Sequence, residues 1–195
     1  MNGVFLSAVQ SGNIDIVDFL LERGAGLDIN SEAMYTFDHS GSGHIDIPLI
    51  VAARNEHVEV VSRLLRDTRL AIQAGGVSEL HAAMGPERCN DSDRRTDILR
   101  MLLLDDRFDY DVRGAFSQDT LLHYAVERRH VKATRFLLES GNIDINSMNF
   151  RGDTVLHVAM YQPAPCEEII DLLLRWPGIQ VRRFFETFCR VLRMG

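Results

Sequence analysis

The sequence predicts an all-α fold: a helical solenoid of about five helix-turn-helix repeats, with hairpin loops between units and a C-terminal capping helix. Three observations predict it. "DTLLHYA" at 119–125 and "DTVLHVA" at 153–159 align without gaps at a displacement of 34 residues, and "IPLIVAA" at 47–53 and "SELHAAM" at 78–84 follow the same grammar. A second apolar run follows each of them, in which Leu20, Leu64, Leu102, Leu137 and Leu173 recur at separations of 44, 38, 35 and 36 residues. Within those runs the apolar side chains keep helical spacing, as in Ile14, Val17, Leu20 and Leu21 or Val58, Val61, Leu64 and Leu65.

Each unit begins with a short helix built around alanines, such as Ala52 and Ala53 or Ala82 and Ala83, whose small side chains let a neighbouring helix approach closely. A turn signal such as "SGN" at 11–13 separates it from the second, one-sided helix. Gly24 or Gly141 then supplies a left-handed helix stop, and an extended "LDIN" or "IDIN" leads to a Gly-containing turn such as "NFRGD". These signals place the repeats at approximately 1–46, 47–77, 78–116, 117–150 and 151–180. Three connections are longer than the pattern requires: "SEAMYTFDHSGSGHID", "GPERCNDSDRR" and "QPAPCE", the last with Pro163 and Pro165 interrupting the helical pattern. Residues 181–195 form a basic amphipathic segment, with Val181, Phe184, Phe185, Phe188 and Leu192 largely on one helical face. It is expected to cap the apolar flank of the last repeat.

These residues resemble the ankyrin-repeat family, whose pattern runs Gly-x-Thr-Pro-Leu-His-x-Ala, Gly-His, Val-Val-x-Leu-Leu, Gly-Ala-Asp-Val-Asn. It is met most fully by Gly152, Thr154, Leu156, His157 and Ala159, and by Thr120, Leu122, His123, Ala125, His130, Leu137, Leu138 and Gly141. Coverage runs from about Val4 to Pro177. The motif proline survives only as Pro48, with Glu79, Leu121 and Val155 at the equivalent positions, and Leu6 and Ile50 replace the motif histidine in the first two copies. The resemblance implies that the motif histidine and threonine hydrogen-bond the turn and lock one unit to the next. It also implies protein binding through the concave surface made by hairpin tips and first helices.

Composition narrows the function classes. The net charge of −7 disfavours a nucleic-acid partner, although residues 175–195 carry five arginines against one acid and so reserve a local basic surface. That tail is the place for a weak contact with an anionic surface. No apolar run approaches the roughly 20 residues of a spanning helix, so no transmembrane segment is expected. The start carries no basic n-region, and Cys89, Cys166 and Cys189 form no CxxC pair, which points to a reduced, cytoplasmic or nuclear setting.

His123, Glu127 and His130, at spacings of four and three, would set a metal-binding face on a continuous helix. In the repeat grammar a turn separates the two histidines, so the scaffold reading wins and no metal, cofactor or catalytic residue is expected. Arg151 to Asp153 spells "RGD", but Gly152 here serves the hairpin turn. The expected partner is a protein, met by Phe116, Asp119, Tyr124, Glu127, Arg128, Phe150, Arg151, Asp153 and Tyr161. A second hypothesis grafts small-molecule binding or catalysis onto the inserted loops, with Tyr35, Phe37, Asp38, His39 and His44 folding beside Tyr110 and Arg113.

Overall fold

The computed structural model describes residues 2–24, 26–31, 33–37, 43–72, 77–85, 92–114 and 117–181, with the backbone alone at 33–37, 43–46 and 77–78. Helices dominate, and they come in consecutive pairs: α1 (Asn2–Ser11) with α2 (Ile14–Arg23), then, after a two-stranded hairpin of β1 (Ala33–Phe37) and β2 (Gly43–Asp46), α3 (Pro48–Arg54) with α4 (Val58–Leu65). Three more pairs follow: α5 (Val77–Met84) with α6 (Asp93–Leu103), α7 (Leu121–Glu127) with α8 (Val131–Glu139), and α9 (Val155–Tyr161) with α10 (Glu167–Arg175). The helical-repeat architecture is the one that the apolar spacing predicts. By contact the chain divides into two compact units, the first holding Met1–Gly85 and Ser92–Asp109, the second holding Tyr110 onward.

In the first unit α1 packs on α3 and α3 on α5, while α2 packs on α4 and α4 on α6. Ala52, Ala53 and Ala83 are completely or almost completely buried in the layer of first helices, where a larger side chain would push the helices apart. The layer of second helices buries Val17, Val61, Leu64, Ile98 and Leu102. Of the five recurring leucines, Leu64, Leu102, Leu137 and Leu173 have no exposed surface, and truncating one such side chain to alanine costs about 2–5 kcal/mol. Leu20 departs from this: it is half-buried, because in α2 the neighbouring Leu21 turns inward instead.

The long connection before α3 contains extended backbone. Ala33–Phe37 and Gly43–Asp46 pair antiparallel, with Thr36 opposite His44 and Phe37 opposite Gly43. The β-branched and aromatic residues of "YTF" favour the extended state of β1.

Two polar devices in the first unit carry no obvious sequence signature. Asp67 grips Arg69, and Arg69 Nη2 in turn donates to the carbonyl of Leu21 at 3.1 Å, near the end of α2. Asp105 grips Arg107 in the same way, and Arg107 donates to Leu65 O at 2.7 Å and Leu70 O at 3.2 Å. Each guanidinium thus caps a carbonyl near the C-terminus of the preceding repeat's second helix, Leu21 of α2 or Leu65 of α4, where a cation also meets the negative end of the helix dipole. The arginine holds the Asp67 and Asp105 carboxyls below their usual range, chiefly through those hydrogen bonds. Asn30 supplies a third tie, donating to Arg69 O at 2.8 Å and accepting from Ala71 N at 2.8 Å.

The second unit repeats this asparagine tie. Asn146 donates to Gly178 O at 2.9 Å and accepts from Gln180 N at 2.8 Å. Here α7 packs on α9 and α8 on α10. Leu121, Leu122, Leu137, Val155 and Leu173 are fully buried between them. The segment beyond Val181, expected as a cap, lies outside the described residues.

Candidate functional site

The site grows from two turns that lead into α7 and α9. Asn149 builds the second of them: its side-chain oxygen accepts the N–H groups of Arg151 and Asp153, both at 3.0 Å, and Gly152 takes the left-handed φ of +79° that closes the bend. The same side chain fastens this turn to the preceding one, since Asn149 Nδ2 donates to Asp119 Oδ1 at 2.9 Å and Phe150 N donates to Ser117 O at 2.9 Å. Arg113 adds bonds to Met148 O and Ser147 Oγ from below.

Thr120 and His123 hold the helix start. The N–H of Thr120 donates to His123 Nδ1 at 3.3 Å, which leaves Nε2 as the protonated nitrogen, and Nε2 donates to the Asp153 carbonyl at 3.0 Å. Thr154 and His157 repeat the local part of this arrangement, with Thr154 N donating to His157 Nδ1 at 3.1 Å. His123 is therefore a buried fastener between neighbouring repeats; burial pushes its imidazole below 6.5 against the opposing pull of Asp119 and Asp153. His130 stands at the N-cap of α8, beyond the turn that ends α7, so no continuous helix joins it to His123. Among the described residues no group of three His, Cys, Asp or Glu is placed to hold a metal ion.

A groove of about 580 Å³ opens along α7 and α9. Ser117, Asp119, Asn149, Phe150, Arg151 and Asp153 form its hairpin end, His123, Val158 and Tyr161 run along the helices, and Glu127, Arg129, Gln162, Pro163 and Ala164 close its far end. The far end is tied by Gln162, whose Nε2 donates to the terminal α7 carbonyls of Val126 and Glu127 at 3.1 and 2.9 Å. Phe150 and Tyr161 are large rings left 63% and 46% exposed on this surface, and the Arg151 guanidinium lies 5.6 Å over the Phe150 ring. Burial, and secondarily the charge of Asp153, raises the Tyr161 hydroxyl above its ordinary 10.0, so it stays a neutral donor.

Of the nine interface residues expected from sequence, Asp119, Glu127, Phe150, Arg151, Asp153 and Tyr161 line this one groove. Tyr124 and Arg128 do not. They are i,i+4 neighbours that engage each other, Arg128 Nη2 donating to the Tyr124 hydroxyl at 2.8 Å with the guanidinium 4.6 Å from the ring centre. Phe116 lies outside the described residues, as do the side chains of Tyr35, Phe37 and His44 and the whole of Asp38 and His39. Asn149, Arg129 and Gln162 are groove residues that sequence reasoning missed. The Asn149 signal was available, because asparagine two residues before a turn's glycine-containing bend commonly accepts from the backbone ahead of it.

Comparison with known proteins gives a consistent picture. Residues 88–184 match the family model of ankyrin repeats in three copies, a span that contains the entire groove lining. The BTB/POZ domain and ankyrin repeat-containing protein NPR1 of Oryza sativa subsp. indica is 40% identical to this chain over 88 residues, and that of subsp. japonica is equally similar. The similarity covers 45% of this chain, and it amounts to 14% of the length of each relative. Among the described residues no helix is long and apolar enough to cross a membrane.

Proposed function

Because the chain belongs to the ankyrin-repeat family, whose repeats generally mediate protein–protein interaction, we propose that it is a non-catalytic scaffold that holds a partner protein in the groove of residues 117–164. The observation that supports this reading is the convergence of Asp119, Glu127, Phe150, Arg151, Asp153 and Tyr161 on one groove of about 580 Å³. Aromatic and arginine side chains are the types that anchor protein interfaces. Asn149, His123 and Gln162 fix the walls by hydrogen bonds before any partner arrives, so little ordering entropy is lost on contact.

The test is affinity capture and proximity labelling with the wild type and a Phe150→Ala, Arg151→Ala, Tyr161→Ala variant, alongside a Tyr124→Ala, Arg128→Ala variant that leaves the groove intact. Captured proteins that disappear with the first variant and persist with the second are the expected result. An unchanged set with both would remove the groove from the interface.

A further inference from the structure

The two ends of the groove differ in charge. At the hairpin end Asp119 and Asp153 flank Asn149, which accepts the Asp153 N–H and donates to the Asp119 carboxylate. Among the described residues neither carboxylate forms a salt bridge with a cationic side chain. The one arginine on the same turn, Arg151, is turned onto the face of Phe150. Tyr161 lines the groove from α9. It sits one helical turn beyond His157, with its ring 5.9 Å from the imidazole and tilted by 48°, and a helical side chain leans toward the N-terminus, here toward Asp153. Asp153 and Tyr161 both line the groove, where burial and, after it, the Asp153 charge raise the Tyr161 hydroxyl.

Carboxylates beside a half-exposed aromatic ring match one side-chain chemistry well. A guanidinium or ammonium gains from both the carboxylate charge and the ring's negative face, while its aliphatic stem covers apolar surface, here Val158 and the Tyr161 ring. Phe150 shows locally that a ring of this groove accepts a guanidinium on its face. An acidic side chain would meet two like charges, and an apolar one would strip water from both carboxylates without replacing their hydrogen bonds. Glu127 and Arg129 share the far end of the groove, so the acidic excess lies at the hairpin end.

We infer that the hairpin end of the groove is a pocket for a lysine or arginine side chain on an extended segment of the partner protein, with Asp119 and Asp153 on its charged head and Tyr161 along its stem. This rests on the protein-binding reading above. The probe is a phage-displayed library of random dodecapeptides selected on the intact chain. Each selected peptide is then measured by fluorescence anisotropy against the wild type, Asp119→Asn/Asp153→Asn and Tyr161→Ala. The asparagines keep a hydrogen-bond acceptor at both positions, and circular dichroism checks the fold. The expected result is enrichment of Lys or Arg at one fixed peptide position, with binding about tenfold weaker to the double variant and weakened further by salt. Peptides that depend on Tyr161 but carry acidic or apolar residues at their invariant position would overturn the cationic pocket and leave the groove as a binding site. Peptides indifferent to all three substitutions would overturn both.

Discussion

His123 reaches across 30 residues to donate from Nε2 to the main-chain carbonyl of Asp153, 3.0 Å away, and only the neutral imidazole suits the bond set around it. Nδ1 is already an acceptor for the Thr120 N–H, so a second proton would place a donor against a donor. Burial lowers the folded-state pKa below 6.5, with Arg113 acting in the same direction and Asp119 and Asp153 opposing. The folded chain then binds fewer protons than the unfolded chain in this range. The stabilisation is fully present above 6.5 and is lost as pH falls from there toward the folded-state value. Replacing His123→Gln at pH 8 is expected to destabilise the second unit by about 1–3 kcal/mol in urea melts. The gap to the wild type should narrow as pH drops below 6.5; a gap constant from pH 8 to pH 5 would refute the assignment.

Arg107 caps the end of α4 from the following repeat, and the sequence around it, "DDR", gives the capping role no local hint. Arg107→Ala removes the donors to Leu65 O and Leu70 O and leaves Asp105 without its partner. The guanidinium is 34% exposed, so water replaces part of what is lost and the expected penalty is about 1 kcal/mol. Amide hydrogen exchange should accelerate at the C-terminal turn of α4 before it does so elsewhere in the first unit. Arg107→Lys cannot restore a two-carbonyl fork with one ammonium and should recover less than half of the loss.

Glu79 sits where the neighbouring copies carry Pro48, Leu121 or Val155, and its side chain is 2% exposed. Desolvation raises its carboxyl above 4.5, partly offset by a backbone hydrogen bond within the residue. The folded state therefore binds the extra proton. The penalty of carrying the charge is absent below 4.5 and grows as pH rises through the folded-state value. Glu79→Leu, which restores the residue type of Leu121, should stabilise the first unit by about 1–2 kcal/mol at pH 7. That advantage should shrink in thermal melts below pH 4.5, and a variant less stable than wild type at neutral pH would show that the carboxylate has a structural partner.

What could be read from sequence and what could not follow one physical division. Helix pairs were legible because the spacing of Val61 and Leu64 reflects burial on one face, a local periodic property. The Thr120–His123 and Thr154–His157 caps were legible because both partners lie three residues apart. Arg69 and Arg107 were not, since Asp67 and Asp105 two residues away disguise them as surface ion pairs while the carbonyls that they serve lie 48 and 42 positions off. Tyr124 and Arg128 lie outside the groove lining for a related reason. Positions that the repeat pattern leaves unspecified read as available, yet their i,i+4 spacing lets them satisfy each other.

The turns between paired helices supply a prediction of two signs. Gly12, Glu56, Gly85 and Arg129 all occupy the left-handed region there, with φ of +72°, +61°, +73° and +62°. At Gly12 a β-carbon would stand only 2.5 Å from Nδ1 of the His57 ring, which is held in place by its Nε2 bond to Gln10 O at 3.0 Å. Gly12→Ala therefore adds a clash to the left-handed strain and should destabilise the first unit by about 2–3 kcal/mol, whereas Gly26→Ala, at φ +82° with open space around it, should show the backbone term of about 1 kcal/mol alone. Arg129 bears the same strain without being glycine, and its side chain lines the groove. Arg129→Gly should therefore stabilise the second unit by roughly 0.5–1 kcal/mol while weakening partner capture, a trade expected where local strain is retained for a functional side chain. Parallel chemical denaturation and partner titration of Arg129→Gly and Arg129→Ala separate the two effects: the alanine variant keeps the strain and loses the side chain. Equal stability of all three proteins would mean that the left-handed turn stores no strain at Arg129.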